Sequence, residues 1–211
     1  MTMKPRVPSG LTLILDQHLL KGRSLTDIAA QSMAGGVKSL QYRAKNLSKR
    51  EAYFNALQLR ESSRQNGVTF LINDWVDLAL AVEADGVHLG QEDLPLSAAR
   101  SLLGPNRIIG ISAHTLEQAK EAEAGGADYL GIGPIFPSTT KQDRTPLGCE
   151  ALRHFREQVR IPIIAIGGIS PLNVRQVMTT RVDGVAVVSA ILSQSDVARA
   201  TADLVAILRS G

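Results

Sequence analysis

The chain has 211 residues, of which 44% are hydrophobic, 20% charged and 4% aromatic, and its formal net charge is +3. This balance is typical of one soluble α/β domain and excludes a disordered chain. No apolar run approaches the roughly 20 residues that span a bilayer, and a single cysteine, Cys149, excludes an internal disulfide.

Eight short apolar segments predict buried parallel strands, because they lack the two-residue alternation of a half-exposed sheet. They cover residues 11–16, 37–43, 68–73, 86–90, 107–112, 128–133, 162–168 and 184–189. Longer segments with helical spacing separate the strands, and several of them end at glycine, as helices commonly do. The last helical segment is SDVARATADLVAILRS.

Strict alternation of eight strands with helices predicts a closed (β/α)₈ TIM barrel, with one catalytic domain over residues 1–211. Residues 1–10 form an N-terminal extension, for which mobility is one alternative. An open doubly wound sheet is the other fold considered, but LDQHLLKGR lacks the glycine-rich turn that it needs after strand 1. In a TIM barrel, functional residues follow the carboxyl ends of the strands.

Strand 2 ends in QYRAK, where Gln41, Arg43 and Lys45 recur every second residue. If the strand continues, the three side chains share one face. A guanidinium and an ammonium group that converge at a strand end suit a phosphate or diphosphate. The alternative is a solvated start of the next helix.

Acidic residues follow strands 3 and 4. INDW supplies Asn73 and Asp74, and HLGQEDLP supplies Gln91, Glu92 and Asp93. Carboxylates without His or Cys partners suit Mg²⁺, which also binds substrate phosphates. The alternative is that Asp74 and Asp93 cap the helices that follow them.

Strand 5 leads into GISAHT, where Ser112 can donate a hydrogen bond to a substrate and His114 is either an acid–base group or a surface residue. His88, within strand 4, is expected to pack there. Strand 6 leads into a polar loop that is either an ordinary turn or a phosphate-binding segment over the barrel mouth. Its hydrogen-bond donors are Ser138, Thr139, Thr140 and Lys141.

Strands 7 and 8 end in IGGIS and VVSAI, a position where TIM barrels often bind phosphate through backbone N–H groups. Gly167 and Gly168 allow close backbone approach, and Val188 and Ser189 supply the strand 8 side. With the site after strand 2, this makes two separate anion sites. They indicate two phosphorylated substrates or one long bisphosphate.

Seven motifs, in order, resemble those of the thiamine phosphate synthase family over nearly the whole chain: QYRAK, INDW, DGVHLGQEDLP, GISAH, GIGPIFPSTTKQD, AIGGIS and VVSAI. The resemblance implies a transferase that joins 4-amino-2-methyl-5-hydroxymethylpyrimidine diphosphate to a carboxylated thiazole phosphate. The products are thiamine phosphate, diphosphate and CO₂. The implied mechanism is dissociative and assisted by Mg²⁺: diphosphate leaves, a pyrimidine carbocation forms, and the thiazole nitrogen captures it.

The resemblance also implies roles for individual residues. The pyrimidine diphosphate would contact Gln41, Arg43, Lys45, Asn73, Ser112 and Lys141. The thiazole phosphate would contact Ser138, Thr140, Gly168, Val188 and Ser189, and Thr139 belongs to the same donor cluster. Asp74 and Asp93 would hold Mg²⁺, while Lys141, Arg43 and Ser112 are the expected catalytic residues. The family commonly has Thr where Ser138 stands, but Ser keeps the hydroxyl.

Three alternatives share the fold. A thiazole tautomerase typically has a catalytic His where Pro134 stands, and proline cannot transfer a proton. A phosphate-binding aldolase or epimerase would explain strands 7 and 8, but a Schiff-base lysine is expected inside a strand rather than in a loop. A non-catalytic thiazole phosphate-binding protein would need neither Asp74 nor Asp93.

The expected partners are small phosphorylated molecules. No nucleic acid is expected, because the one basic cluster, RAKNLSKRE, has no interleaved aromatic residues. No membrane is expected, and MTMKPRVPSG lacks the apolar core of a signal peptide, which predicts a cytoplasmic protein. The sequence is compatible with a homo-oligomer. Cys149 is expected to be a small packed residue.

Overall fold

The computed structural model describes residues 5–137 and 145–210 and shows eight parallel strands in a closed barrel, paired in sequence order. The pairing of the last strand with the first closes the barrel. The strands are β1 (Gly10–Asp16), β2 (Ser39–Arg43), β3 (Thr69–Asn73), β4 (Gly86–Leu89), β5 (Ile108–Ala113), β6 (Tyr129–Ile132), β7 (Ile163–Ile166) and β8 (Gly184–Val187). The predicted TIM barrel is confirmed, and the open-sheet alternative is wrong.

Helices follow the strands around the outside. Within the described residues they are α1 (Leu25–Ala34), α2 (Lys49–Gln65), α3 (Val76–Ala81), α4 (Leu96–Leu103), α5 (Leu116–Ala124), α6 (Gly148–Gln158), α7 (Val174–Met178), α8 (Ser189–Leu192) and α9 (Val197–Arg209). Ser24 caps α1, and Ser48 forms a reciprocal capping box with Glu51 at the start of α2. Helix α8 is a separate short helix that directly follows β8.

Strand register determines which side chains enter the barrel. Thr12 lies opposite Ser39 and Asp16 lies opposite Arg43, so alternate residues of β1 and β2 face inward. The hydroxyls of Thr12 and Ser39 are 2.6 Å apart in the interior. An apolar layer fills the barrel with Ile14, Leu71, Ile108, Tyr129, Ile164 and Ala186. A larger apolar core separates the strands from the helices.

The N-terminal extension is attached to the barrel from residue 6 onward. Thr69 Oγ1 donates a hydrogen bond of 3.0 Å to the Arg6 carbonyl, and Val7 packs against the interior layer. The part of the extension that is described therefore lies against the amino ends of the strands.

Cys149 is buried in the outer core, and burial raises the pKa of its thiol, as expected for a packed residue. No helix among the described residues combines the length and apolar character needed to cross a membrane.

Candidate active site

An open cleft of about 1090 Å³, including its solvent-facing part, lies at the carboxyl ends of the strands and receives side chains from all eight of them. Its lining includes seven predicted site residues: Gln41, Arg43, Asn73, Ser112, Gly168, Val188 and Ser189. Ser138, Thr139, Thr140 and Lys141 lie outside the described residues. The strand-end interpretation of these seven residues therefore agrees with the architecture.

One side of the cleft is built by the ends of β1, β2 and β3. Gln41 is buried, and its Nε2 donates a hydrogen bond of 2.7 Å to Asn73 Oδ1. Arg43 donates to the buried carboxylate of Asp16. The sequence interpretation missed Asp16, although it is the last residue of LTLILD and follows the same strand-end rule. Its carboxylate fixes the guanidinium at the cleft wall.

Lys45 does not share the inward face of Gln41 and Arg43. Strand β2 ends at Arg43, where the predicted strand over residues 37–43 also ends, so the condition under which the three side chains would share one face is not met. The Lys45 side chain is 54% exposed, and its Nζ is 3.9 Å from Asp74 Oδ2. Lys45 therefore lies at the rim beside the acidic residues, where its charge remains available to an anion.

Asp74 and Asp93 approach each other at this rim, within hydrogen-bond reach. Burial and then the neighbouring Asp93 carboxyl raise the pKa of Asp74 to about 6, against the opposing charges of Lys45 and Arg43. Asp74 has a left-handed backbone, with φ of +66°, a conformation that costs energy outside glycine. Asp93 Oδ2 accepts a 2.6 Å hydrogen bond from the Gly90 N–H.

Neither acid caps a helix. The N-cap of α3 is Trp75 and that of α4 is Pro95, and neither helix start has a side-chain cap hydrogen bond. The alternative cap roles of Asp74 and Asp93 are therefore wrong. Their approach requires another explanation, because two carboxylates repel each other unless a proton or cation lies between them.

The acidic pair fits Mg²⁺. Residues 5–137 and 145–210 contain no group of three or more His, Cys, Asp or Glu side chains placed around one ion. Mg²⁺ does not require such a cage, because it is usually bound by one or two carboxylates together with water and substrate phosphates. A cation would relieve the repulsion that contributes to the raised pKa of Asp74.

Two histidines also line the cleft. His88 was expected only to pack, but its Nδ1 is 2.8 Å from the Tyr129 hydroxyl and its Nε2 is 2.9 Å from Ser112 Oγ. His114 lines the cleft, and its Nδ1 donates a 2.5 Å hydrogen bond to the Gly133 carbonyl. The alternation of inward-facing residues along β4 would have placed His88 in the barrel interior.

The opposite side of the cleft is formed by the ends of β7 and β8. Gly167 and Gly168 have φ of +96° and +65°, and β7 ends at Ile166, just before them. A Cβ atom on Gly168 would lie 2.5 Å from the Pro137 carbonyl oxygen, so the close packing requires glycine. Helix α8 begins at Ser189, beside this turn in the cleft lining. The first N–H groups of a helix lack intrahelical acceptors and suit an anion.

A family profile described as thiamine monophosphate synthase matches residues 11–191. The thiamine-phosphate synthase of Chloroflexus aurantiacus is 47% identical over 199 residues, covering 94% of this chain and 92% of the relative. The thiamine-phosphate synthase of Methanospirillum hungatei is 49% identical over 193 residues, which cover 91% of this chain and 94% of the relative. The solved thiamine phosphate pyrophosphorylase from Pyrococcus furiosus has a TM-score of 0.89 and 43% identity, covering 95% of this chain and 96% of that one.

Proposed function

The chain belongs to the thiamine monophosphate synthase family and has that family's transferase activity, and from this premise we propose which residues of the cleft bind each substrate. The reaction joins the pyrimidine diphosphate to the carboxylated thiazole phosphate and yields thiamine phosphate, diphosphate and CO₂. The observation that supports the assignment most is the arrangement of the cleft. Cationic and acidic side chains lie on the β2–β4 side, and a glycine turn lies on the β7–β8 side.

The β2–β4 side is proposed to bind the pyrimidine diphosphate. Arg43 and Lys45 supply positive charge to the diphosphate, and Arg43 is oriented by Asp16. The Gln41–Asn73 amide pair and Ser112 present hydrogen-bonding groups to the pyrimidine ring. Lys141, outside the described residues, is the remaining cation assigned to this substrate.

Asp74 and Asp93 are proposed to hold Mg²⁺ together with the diphosphate oxygens. When bound, the ion would neutralise negative charge on the leaving diphosphate. Lys45, 3.9 Å from Asp74, lies close enough to contribute charge at the same rim. Because the acids are adjacent and partly buried, they are arranged for a cation rather than for contact with an anionic substrate alone.

The β7–β8 side is proposed to bind the thiazole phosphate. Gly168 permits close approach of its backbone, and Val188 and Ser189 present the start of α8. Asn173 holds this turn, since its Nδ2 donates a 2.9 Å hydrogen bond to the Gly168 carbonyl. Ser138, Thr139 and Thr140, outside the described residues, are assigned to the same phosphate.

The chemistry we propose is dissociative. The bond between the methylene carbon and the diphosphate oxygen breaks, and its electron pair leaves with diphosphate, whose charge Arg43 stabilises. The thiazole nitrogen then supplies the electron pair of the new C–N bond. The bond between the ring carbon and the carboxylate breaks, its electron pair stays on the thiazolium carbon as CO₂ departs, and that carbon takes a proton from water. Apolar walls that include Ile14, Ile164 and Ile166 limit the access of water to the carbocation.

The tautomerase alternative is not favoured. Pro134 lines the cleft at the position expected for the catalytic His of that enzyme, and proline has no proton to transfer. The relatives aligned over nine-tenths of the chain are named thiamine-phosphate synthases.

The test is to incubate the purified protein with both substrates, with and without Mg²⁺, and to follow thiamine phosphate by fluorescence after oxidation. Asp93→Asn should lose the metal-dependent rate while keeping the fold. Asp77→Asn is the matched control, because Asp77 is an exposed carboxylate on α3 that pairs with Lys49 of α2. Full activity of Asp93→Asn, or product formation independent of Mg²⁺, would overturn the metal assignment.

We also place the protein in the cytoplasm, where unpaired thiols such as that of Cys149 are usual. A homo-oligomer is part of the proposal, and sedimentation equilibrium would test it.

A further inference from the structure

Three polar side chains are joined in series across the barrel interior. Tyr129 on β6 contacts His88 on β4, and His88 contacts Ser112 at the cleft, through distances of 2.8 and 2.9 Å. The registers place both His88 and Tyr129 opposite Gly110 of β5, which lies between them. The two rings therefore meet across an intervening strand, with centroids 5.4 Å apart.

Glycines make this contact possible. A Cβ atom on Gly110 would lie 2.1 Å from Tyr129 Cζ, and one on Gly131 would lie 2.8 Å from His88 Cε1. Glycine inside a strand weakens it, because the residue loses more conformational freedom and offers no side chain to pack. The adjacent strands β5 and β6 thus each have a glycine beside a ring: Gly110 lies beside Tyr129, and Gly131 lies beside His88.

The Tyr129 hydroxyl determines which atom donates in each hydrogen bond of this series. Tyr129 is buried in the apolar layer, and desolvation raises the pKa of its phenol far above the ordinary value, so the hydroxyl keeps its proton. Among the described residues, its one hydrogen-bond partner is His88 Nδ1. If the phenol did not donate to that nitrogen, its O–H would be left unsatisfied in an apolar environment, which is costly.

A nitrogen that accepts from the phenol carries no proton. In a neutral imidazole the proton is then on Nε2, which donates to Ser112 Oγ. Building on the proposed function, we propose that Tyr129 and His88 are positioning residues. They make Ser112 a hydrogen-bond acceptor within the protein, so that its own O–H is donated into the cleft.

This assigns a recognition property to the pyrimidine site. Ser112 would select a hydrogen-bond acceptor, such as a ring nitrogen of the pyrimidine. With the opposite tautomer, Nε2 would accept from Ser112, and the serine would offer only its lone pairs to an N–H of the substrate. The buried phenol therefore fixes which edge of an aminopyrimidine the serine reads.

The tautomer can be measured without substrate, by ¹⁵N NMR of histidine-labelled protein above the ordinary imidazole pKa. His88→Gln would assign the signal. We expect a protonated Nε2 and an unprotonated Nδ1 in the wild-type protein, and mixed tautomers in Tyr129→Phe. Tyr42→Phe is the matched control, because Tyr42 is a fully buried tyrosine whose hydroxyl accepts from Asn55. A protonated Nδ1 in the wild type, or the same tautomer in Tyr129→Phe, would overturn the proposal.

A double-mutant cycle tests the effect on catalysis. Tyr129→Phe should lower kcat/KM for the pyrimidine diphosphate about tenfold, the usual scale of one hydrogen bond. It should leave the KM for the thiazole phosphate unchanged, and it should have no further effect in a Ser112→Ala background. An equal loss in both backgrounds would mean that Tyr129 acts through packing instead. If the expected tautomer is found in a protein that makes no thiamine phosphate, the proposed function fails while the hydrogen-bond series stands.

Discussion

Asp74 and Asp93 lie within hydrogen-bond reach of each other, although they follow different strands and both are acidic. Asp74 also has a left-handed backbone, with φ of +66°. A repulsive contact on a strained backbone is expected where a ligand compensates for it. The pair therefore yields predictions about protons, metal and stability that can be measured separately.

Mg²⁺ binding should depend on pH near 6. The pKa of Asp74 is raised from 3.8 to about 6 in the folded protein without metal. Protonated Asp74 therefore stabilises the folded protein relative to the unfolded chain, and this contribution is complete below about pH 4. This contribution is lost as the pH rises through about 6, where the carboxylate forms and can bind the cation. Calorimetric titration of Mg²⁺ with diphosphate present should give weaker binding at pH 5.5 than at pH 7.5. Equal affinity at both pH values would contradict the metal site.

Replacing Asp74 should separate stability from activity. Asp74→Asn removes the repulsion with Asp93, and asparagine tolerates a positive φ, so we expect equal or greater stability at pH 7.5. Asp74→Ala should be less stable than Asp74→Asn by about 1 kcal/mol, because alanine is strained in the left-handed region. Urea denaturation measures the free energy of unfolding of both variants. Both variants should lose Mg²⁺-dependent activity, and an active Asp74→Asn enzyme would exclude the carboxylate as a ligand.

Asp16 should be required to orient Arg43. Its carboxylate is nearly completely buried, so Asp16→Ala leaves the guanidinium without its partner at the cleft wall. We expect a loss of about 3 kcal/mol in the free energy of unfolding and a lower kcat/KM for the pyrimidine diphosphate. The control is Asp203→Ala, which removes an exposed ion pair with Arg199 and should cost less than about 1 kcal/mol. Similar effects of the two variants would refute the orienting role.

Periodicity and strand-end logic predicted the barrel and seven of the residues that line the cleft, because buried parallel strands and their carboxyl ends follow directly from local pattern. They failed where the backbone departs from a regular element. They left open whether Lys45 shares the inward face of Gln41 and Arg43, and β2 ends two residues before it. His88 was expected only to pack, since no local pattern shows that it meets Tyr129 across Gly110. The positive φ of Asp74, beside Asp93, was likewise not indicated by any sequence pattern.

The two halves of the cleft should be separable by mutation. Arg43→Ala should raise the KM for the pyrimidine diphosphate at least tenfold and change that for the thiazole phosphate little, because Arg43 lies on the β2 side. Gly168→Ala should do the reverse. Its Cβ atom would lie 2.5 Å from the Pro137 carbonyl oxygen and 2.7 Å from Phe136 Cβ, and alanine is also strained at φ of +65°. The backbone that is proposed to bind the thiazole phosphate must therefore move. Initial rates with each substrate varied at saturation of the other measure both effects, and equal weakening of both substrates by Arg43→Ala would show that the cleft is divided differently.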